Sequence, residues 1–157
     1  MKKIIILILL ISNTSFSQTK KETVDWLNLK LSEYTDSFMG EYSINVQNDK
    51  DWGEIVTIKV RVKNDYMAES FTNYTFLAKN IESVITTKKF RTDGSLGIII
   101  KAKGNNIYKD GKEFVNNIDI YCTESPNETI IRIQKGIIHL LNLMGNPITT
   151  QKELFTD

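Results

Sequence analysis

From Glu41 to Cys122, apolar residues alternate with polar ones, and no helical pattern interrupts them. A period of two is the spacing of a strand with one buried face. Strand-like runs lie at residues 41–47, 56–63, 70–78, 83–89, 96–103, 107–108 and 114–122. Because the intervals between them hold turn residues and are too short for helices, the pattern predicts an antiparallel meander of six or seven strands.

A helical pattern precedes these strands, over about residues 20–38. Thr19 and Glu22 have the spacing of a capping box, in which each side chain bonds a backbone amide at the start of the helix. One face of this predicted helix carries Val24, Leu27, Leu31 and Tyr34. Gly40 marks a stop soon after Phe38.

A second helix is predicted over about residues 126–144. Its start is marked by Ser125 as N-cap, Pro126 in the first helical position and Glu128 in a second capping box, and its end by Gly145 and Pro147. Its apolar side carries Ile130, Ile131, Ile133, Ile137, Ile138, Leu140, Leu141 and Met144. The opposite side, with Arg132, Lys135, His139 and Asn142, is expected to face solvent. Such a two-sided helix is typical of one lying on a sheet.

The order of these elements predicts a single α+β domain over residues 18–157, a half-barrel or barrel with the C-terminal helix over its mouth. It resembles the pleckstrin-homology superfold over about residues 41–144, above all in the closing stretch NIDIYCTESPNE at 117–128. The resemblance implies two nearly orthogonal sheets and a plugging helix; the N-terminal helix is additional. Phosphoinositide-binding members use basic residues around the first hairpin, where this chain has Asp49, Asp51 and Glu54.

The first residues, MKKIIILILLISNTSFSQ, have the layout of a secretory signal peptide, with a basic start, a short apolar run and small residues before the cleavage point. Cleavage is expected between Ser17 and Gln18. The apolar run is too short to span a bilayer, which takes about 20 residues. Abundant Lys, Ile and Asn, whose codons are AT-rich, suggest an AT-rich bacterial genome. We expect a Gram-negative-type bacterium and export to the periplasm, the cell envelope or the medium.

Charge and cysteine content narrow the classes of partner. The chain has 20 basic and 19 acidic residues, and removal of Lys2 and Lys3 leaves a net charge of about −1. No overall field attracts nucleic acid, so no nucleic-acid partner is expected. A single cysteine, Cys122, cannot form an internal disulfide and is expected to be a buried, inert thiol.

Catalytic and metal-binding patterns are weak. His139 is the sole histidine, and its neighbours on the predicted helix offer neither a nucleophile nor an orienting carboxylate. The stretch Asp49–Glu54 fails the calcium-loop pattern because Glu54 stands where the turn glycine belongs, so a hairpin turn is expected. We therefore expect no catalytic residue, no cofactor and no metal.

Three surfaces remain as candidates. Lys59, Arg61 and Lys63 share one strand face that suits an anion, although such a face is more often the wet side of a sheet. The aromatic residues Trp52, Phe71, Tyr74 and Phe76 would suit stacking on a sugar, although core packing explains most of them. The third candidate, a ligand site at the mouth of the core, comprises Ile130, Ile133, Ile137 and Leu141.

The function most consistent with these features is a non-enzymatic binding or interaction module whose ligand is a protein, a glycan or a small apolar molecule. Two alternatives stay open. One is a carrier that holds a small apolar ligand between the sheet and the C-terminal helix, and the other is an enzyme that uses only carboxylates and tyrosines. A large apolar pocket would favour the carrier, and convergent carboxylates would favour the enzyme.

Overall fold

The computed structural model of the protein describes residues 18–35, 40–64, 67–87, 97–122 and 126–148. The signal-peptide prediction therefore lies outside the described residues, apart from Gln18. The elements are α1 (Lys20–Tyr34), β1 (Glu41–Asp49), β2 (Gly53–Asn64), β3 (Met67–Leu77), a 3-10 turn (Ala78–Asn80), β4 (Ile81–Thr87), β5 (Gly97–Ala102), β6 (Ile107–Lys109), β7 (Glu113–Val115), β8 (Asn117–Tyr121) and α2 (Asn127–Leu143).

The strands form two antiparallel sheets. A five-stranded sheet has the order β1-β2-β3-β6-β7, and a three-stranded sheet has the order β4-β5-β8. Among the described strands, no pairing joins the two sheets into a closed barrel. The predicted α+β class is confirmed, as is the half-barrel with an N-terminal and a C-terminal helix.

One predicted strand, residues 114–122, is wrong because it comprises two strands in different sheets. Phe114 pairs with Tyr108 in the five-stranded sheet, whereas Ile118 pairs with Ile100 in the three-stranded sheet. The change of sheet occurs at Asn116, whose carbonyl accepts a hydrogen bond from the Ala102 amide at 2.8 Å. The described residues thus form eight strands, and β4 and β5 interrupt the order of a simple meander.

Helix α1 begins with the predicted capping box. The Thr19 amide donates to Glu22 Oε2 at 2.8 Å, and the Glu22 amide donates to Thr19 Oγ1 at 3.2 Å. Leu27 and Leu31 are fully buried in the core. The helix ends at Tyr34, before the predicted end at Phe38, and residues 36–39 lie outside the described part of the chain.

Helix α2 begins one residue later than predicted. Pro126 is the N-cap and not the first helical residue, because its ψ of 136° is extended, and no side chain caps the helix. Ser125 lies outside the described residues. The predicted stop at Gly145 is confirmed: its φ is +81°, its amide bonds the Asn142 carbonyl at 3.0 Å, and the Asn146 amide bonds the Leu141 carbonyl at 3.0 Å, a Schellman motif.

Polar side chains cover exposed sheet edges. The Asn28 side-chain amide of α1 pairs with both backbone groups of Ile44 on edge strand β1, donating to the carbonyl at 2.9 Å and accepting from the amide at 2.7 Å. Gln134 of α2 donates to the Val84 carbonyl on edge strand β4 at 2.8 Å. An uncovered edge can pair with another chain, and these bonds occupy backbone groups of both edges as well as docking the helices.

Candidate functional site

A groove lined by exposed aromatic residues lies on the outer face of the five-stranded sheet, beside the β1–β2 turn. We call it the aromatic groove; its apolar lining includes Trp52, Ile55, Leu77, Tyr108 and Phe114, and its volume is about 460 Å³. Trp52 is 67% exposed, Phe114 60% and Tyr108 39%. Large aromatic side chains that share an exposed patch are unusual on a soluble domain and mark a binding surface.

Strand register brings these residues together. Ile55 pairs with Leu77, Thr75 with Tyr108, and Tyr108 with Phe114. Residues in register share one face of a sheet, so Thr75, Tyr108 and Phe114 form a row across β3, β6 and β7. The Ile55–Leu77 pair lies on the same face, two positions further along β3.

Local hydrogen bonds hold the aromatic residues in place. Asp49 Oδ1 accepts hydrogen bonds from the backbone amides of Asp51 and Trp52 at 2.9 and 3.0 Å. The Asp49 side chain therefore fixes the turn that carries Trp52. The Tyr108 hydroxyl donates to the Gly111 carbonyl at 2.5 Å. The Tyr108 and Phe114 rings stand 4.8 Å apart, centroid to centroid, at 30°. A preordered surface loses little entropy when a ligand binds.

Polar groups border the aromatic rings. Asp49, Thr75, Asn80 and Asn106 line the same groove. The side-chain amide of Asn106 also donates to the Lys103 carbonyl, and this bond holds the Asn106 side chain in place. The groove thus combines aromatic and aliphatic side chains with amide, hydroxyl and carboxylate groups.

The predicted aromatic platform is only partly present. Trp52 lines the groove and is mostly exposed, whereas Phe76, which also borders the groove, is 4% exposed and belongs to the core. Tyr74 lies in a different cleft, and Phe71 lies beneath Lys59, whose Nζ is 4.2 Å from the ring centroid. Tyr108 and Phe114 were missed by sequence reasoning. The Asp110-Gly111 turn between them was the available signal, since a hairpin there places them opposite each other.

A second cavity, the inter-sheet cleft, lies between the inner face of the five-stranded sheet and β8. It measures about 560 Å³, and its lining includes Tyr42, Tyr74, Lys109, Phe114, Asn117, Asp119 and Tyr121. The Tyr42 hydroxyl donates to the Asp119 carbonyl at 3.1 Å and accepts the Tyr121 amide at 3.4 Å, so it covers the free edge of β8. Burial raises the pKa of the Tyr42, Tyr74 and Tyr121 hydroxyls.

The basic residues of the predicted anion face share one side of β2 but differ in their partners. Arg61 bonds Glu41 at 3.0 Å and also bonds Glu69, and these hydrogen bonds and charges raise its pKa. Lys59 lies on the Phe71 ring, and Lys63 is exposed. Because two carboxylates offset the charge of Arg61, the surface offers little attraction to an anion.

The predicted core-mouth residues fill the space beneath α2. Ile130, Ile133, Ile137 and Leu141 are each 3% exposed or less. They lie in the same apolar cluster as the buried residues of both sheets. The aromatic groove and the inter-sheet cleft are lined by other residues.

His139 is half-buried, so the expectation that its side of α2 faces solvent is wrong for this residue. The physical reason is Gly136, which lets α1 approach α2: a Cβ there would stand 2.7 Å from Trp26 and 3.0 Å from Leu27. His139 lies in a crevice of about 300 Å³ with Trp26, Arg132 and Lys135. Its Nε2 is buried without a hydrogen-bond partner among the described residues.

Cys122 is buried, and desolvation raises the pKa of its thiol to about 12, as expected for an inert thiol. No cluster of three or more His, Cys, Asp or Glu side chains suited to a metal occurs in the described ranges. Neither described helix is long and apolar enough to cross a membrane.

Comparison with known proteins gives no relative: no family model, curated protein or solved structure matches this chain.

Proposed function

We propose that this protein is an exported, non-enzymatic binding domain that holds a saccharide chain in its aromatic groove. The observation that carries the proposal is the group of exposed rings, Trp52, Tyr108 and Phe114, held along one groove. Proteins expose few aromatic patches of this kind without a partner to cover them.

The chemistry of the groove suits a sugar better than a purely apolar partner. A pyranose ring has C–H faces and a rim of hydroxyl groups, so it fits a flat aromatic surface bordered by hydrogen-bonding groups. The lining of the groove includes the exposed rings together with Thr75, Asn80 and Asn106. Amphipathic aromatic residues contribute contact area at a low cost in side-chain entropy.

A binding role fits the groove better than hydrolysis. Glycoside hydrolysis ordinarily uses two carboxyl groups on either side of the scissile bond. Asp49 is the one carboxylate among the groove residues named above, and its Oδ1 already accepts two backbone amides of the β1–β2 turn.

Calorimetric titration with cellotetraose and with chitotetraose tests this proposal. We expect at least one of the two to bind, and Trp52→Ala and Tyr108→Ala each to weaken that binding at least about tenfold. Phe71→Ala is the matched control, because Phe71 is 47% exposed on the same sheet but lines a different cavity. Failure of both oligosaccharides to bind, or equal binding by the Trp52 and Phe71 variants, would contradict the proposal.

Export is tested separately by expressing the full chain in a Gram-negative host and measuring the molecular mass of the purified protein by mass spectrometry. We expect a mature N-terminus at Gln18, because the sequence before it has the three regions of a signal peptide. A protein that still begins at Met1 would contradict export and leave the saccharide result unaffected.

A further inference from the structure

The inter-sheet cleft combines one carboxylate with four aromatic rings. Tyr42, Tyr74, Phe114 and Tyr121 contribute the rings, and Asp119 contributes the carboxylate. Asn117 and Asp119 alternate with the buried Ile118 and Ile120 along β8, so the face of this strand that lines the cleft is set by its register.

Two charged side chains line the cleft, Asp119 and Lys109, and of these only Lys109 has an oppositely charged partner among the described residues. Its Nζ bonds Glu113 Oε1 at 2.7 Å, so that charge is offset. Asp119 Oδ1 accepts a hydrogen bond from the side-chain amide of Asn117 at 2.8 Å. That amide is neutral and does not offset the carboxylate charge. Among the described residues, no cationic side chain pairs with Asp119.

The aromatic rings add to this preference. The face of a neutral aromatic ring has a partial negative charge, and this attracts cations. Tyr121 lies two positions from Asp119 on β8, so both side chains are on the same face of this strand, and both line the cleft together with Tyr74. A volume of about 560 Å³ is in the range of small-molecule sites and exceeds what a single ammonium group fills.

We propose that the inter-sheet cleft binds an organic cation, an amine or quaternary ammonium compound, whose positive charge lies against Asp119 and among the aromatic rings. The site is independent of the saccharide proposal, because Asp119, Tyr121 and Tyr74 do not line the aromatic groove. Phe114 lines both cavities and is therefore left unchanged in the tests below.

The experiment titrates the ¹⁵N-labelled protein with choline chloride, followed by amide chemical shifts. 3,3-Dimethylbutan-1-ol, which has the same shape without the charge, and sodium chloride are titrated in parallel. We expect choline to shift the amides of residues 117–121 and to bind at least about tenfold more tightly than the alcohol, because charge attraction and cation–π contacts favour it alone.

Two variants separate the contributions. Asp119→Asn is expected to weaken choline binding about tenfold, and Tyr121→Phe to retain it, because the ring remains. Asp51→Asn, an equal change of charge on the exposed β1–β2 turn, is the control and should bind choline as the wild type does. Urea unfolding of each variant verifies the fold.

Three results would overturn the proposal: no binding of choline in the millimolar range, equal binding of choline and the alcohol, or equal weakening by Asp119→Asn and Asp51→Asn. Trp52→Ala should leave choline binding unchanged, so failure of the saccharide proposal and failure of this one are distinguishable.

Discussion

The underside of α2 and the aromatic groove are both apolar, but only one of them is covered. Ile130, Ile133, Ile137 and Leu141 are each 3% exposed or less, whereas Tyr108, Phe114 and Trp52 range from 39% to 67%. The covered residues follow a regular helical spacing, and the exposed ones come from a turn and two three-residue strands. Regular apolar spacing thus reports packing, while the candidate binding surface arises from residues distant in sequence that strand pairing brings together.

The largest difference is expected in stability. Ile133→Ala should lower the free energy of unfolding by about 3 kcal/mol, because it removes buried methyl groups and leaves a cavity. Trp52→Ala should change it by less than about 1 kcal/mol, because the side chain is mostly exposed. Urea unfolding measures both. Equal losses of stability would contradict the distinction between the covered and the open region.

The contact between the helices provides a second test of the covered region. Gly136→Val should lower the free energy of unfolding by about 2 kcal/mol, because the added carbons would overlap the Trp26 ring and Leu27. Lys135→Val is the matched control, since it puts the same side chain on an exposed neighbouring position. If both variants unfold at the same urea concentration, α1 does not pack closely at Gly136.

A smaller effect is expected from pH and acts on the interior. Burial raises the pKa of the Cys122 thiol from 9.0 to about 12, so the folded state retains a proton that the unfolded state loses. The contribution of this protonated thiol to the free energy of unfolding is therefore fully present below pH 9. It is lost as pH rises towards 12, at up to about 1.4 kcal/mol per pH unit. The Tyr42 hydroxyl, with its pKa also raised, acts in the same direction.

Cys122→Ala isolates the thiol in that experiment. Its free energy of unfolding should fall less steeply between pH 9 and 11 than that of the wild type, and the comparison of slopes cancels any loss from the smaller side chain. Identical slopes would mean that the thiol is not buried in its protonated form.

Sequence patterns predicted the fold where local chemistry decides it. The capping box at Thr19, the stop at Gly145 and the burial of four isoleucines of α2 follow from residues close together in the chain. Ile131, predicted on the same apolar side, is 36% exposed. The split at Asn116 did not, because Phe114 and Ile118 find partners in different sheets and alternation alone cannot assign a strand to a sheet. The prediction that His139 faces solvent was wrong for a related reason: the spacing of residues along α2 contains no information about its contact with α1.

The candidate site was predictable only in part. Of the four aromatic residues predicted to form a stacking platform, Trp52 lies exposed in the groove, Phe76 is buried beside it, and Phe71 and Tyr74 lie in other surroundings. Tyr108 and Phe114 required the pairing of β6 with β7. The inter-sheet cleft depends on Tyr42 meeting Asp119, a contact across 77 positions of the chain.

The two tryptophans allow the central claim to be measured directly. Trp52 lies in the aromatic groove and Trp26 lies between the helices, so each indole N–H signal reports on one region. In a ¹⁵N spectrum titrated with the tighter-binding of cellotetraose and chitotetraose, we expect the Trp52 signal to move and the Trp26 signal to stay. A shift of Trp26 together with the amides of α2, with Trp52 unchanged, would contradict the claim that ligand binds to the open groove rather than beneath the helix.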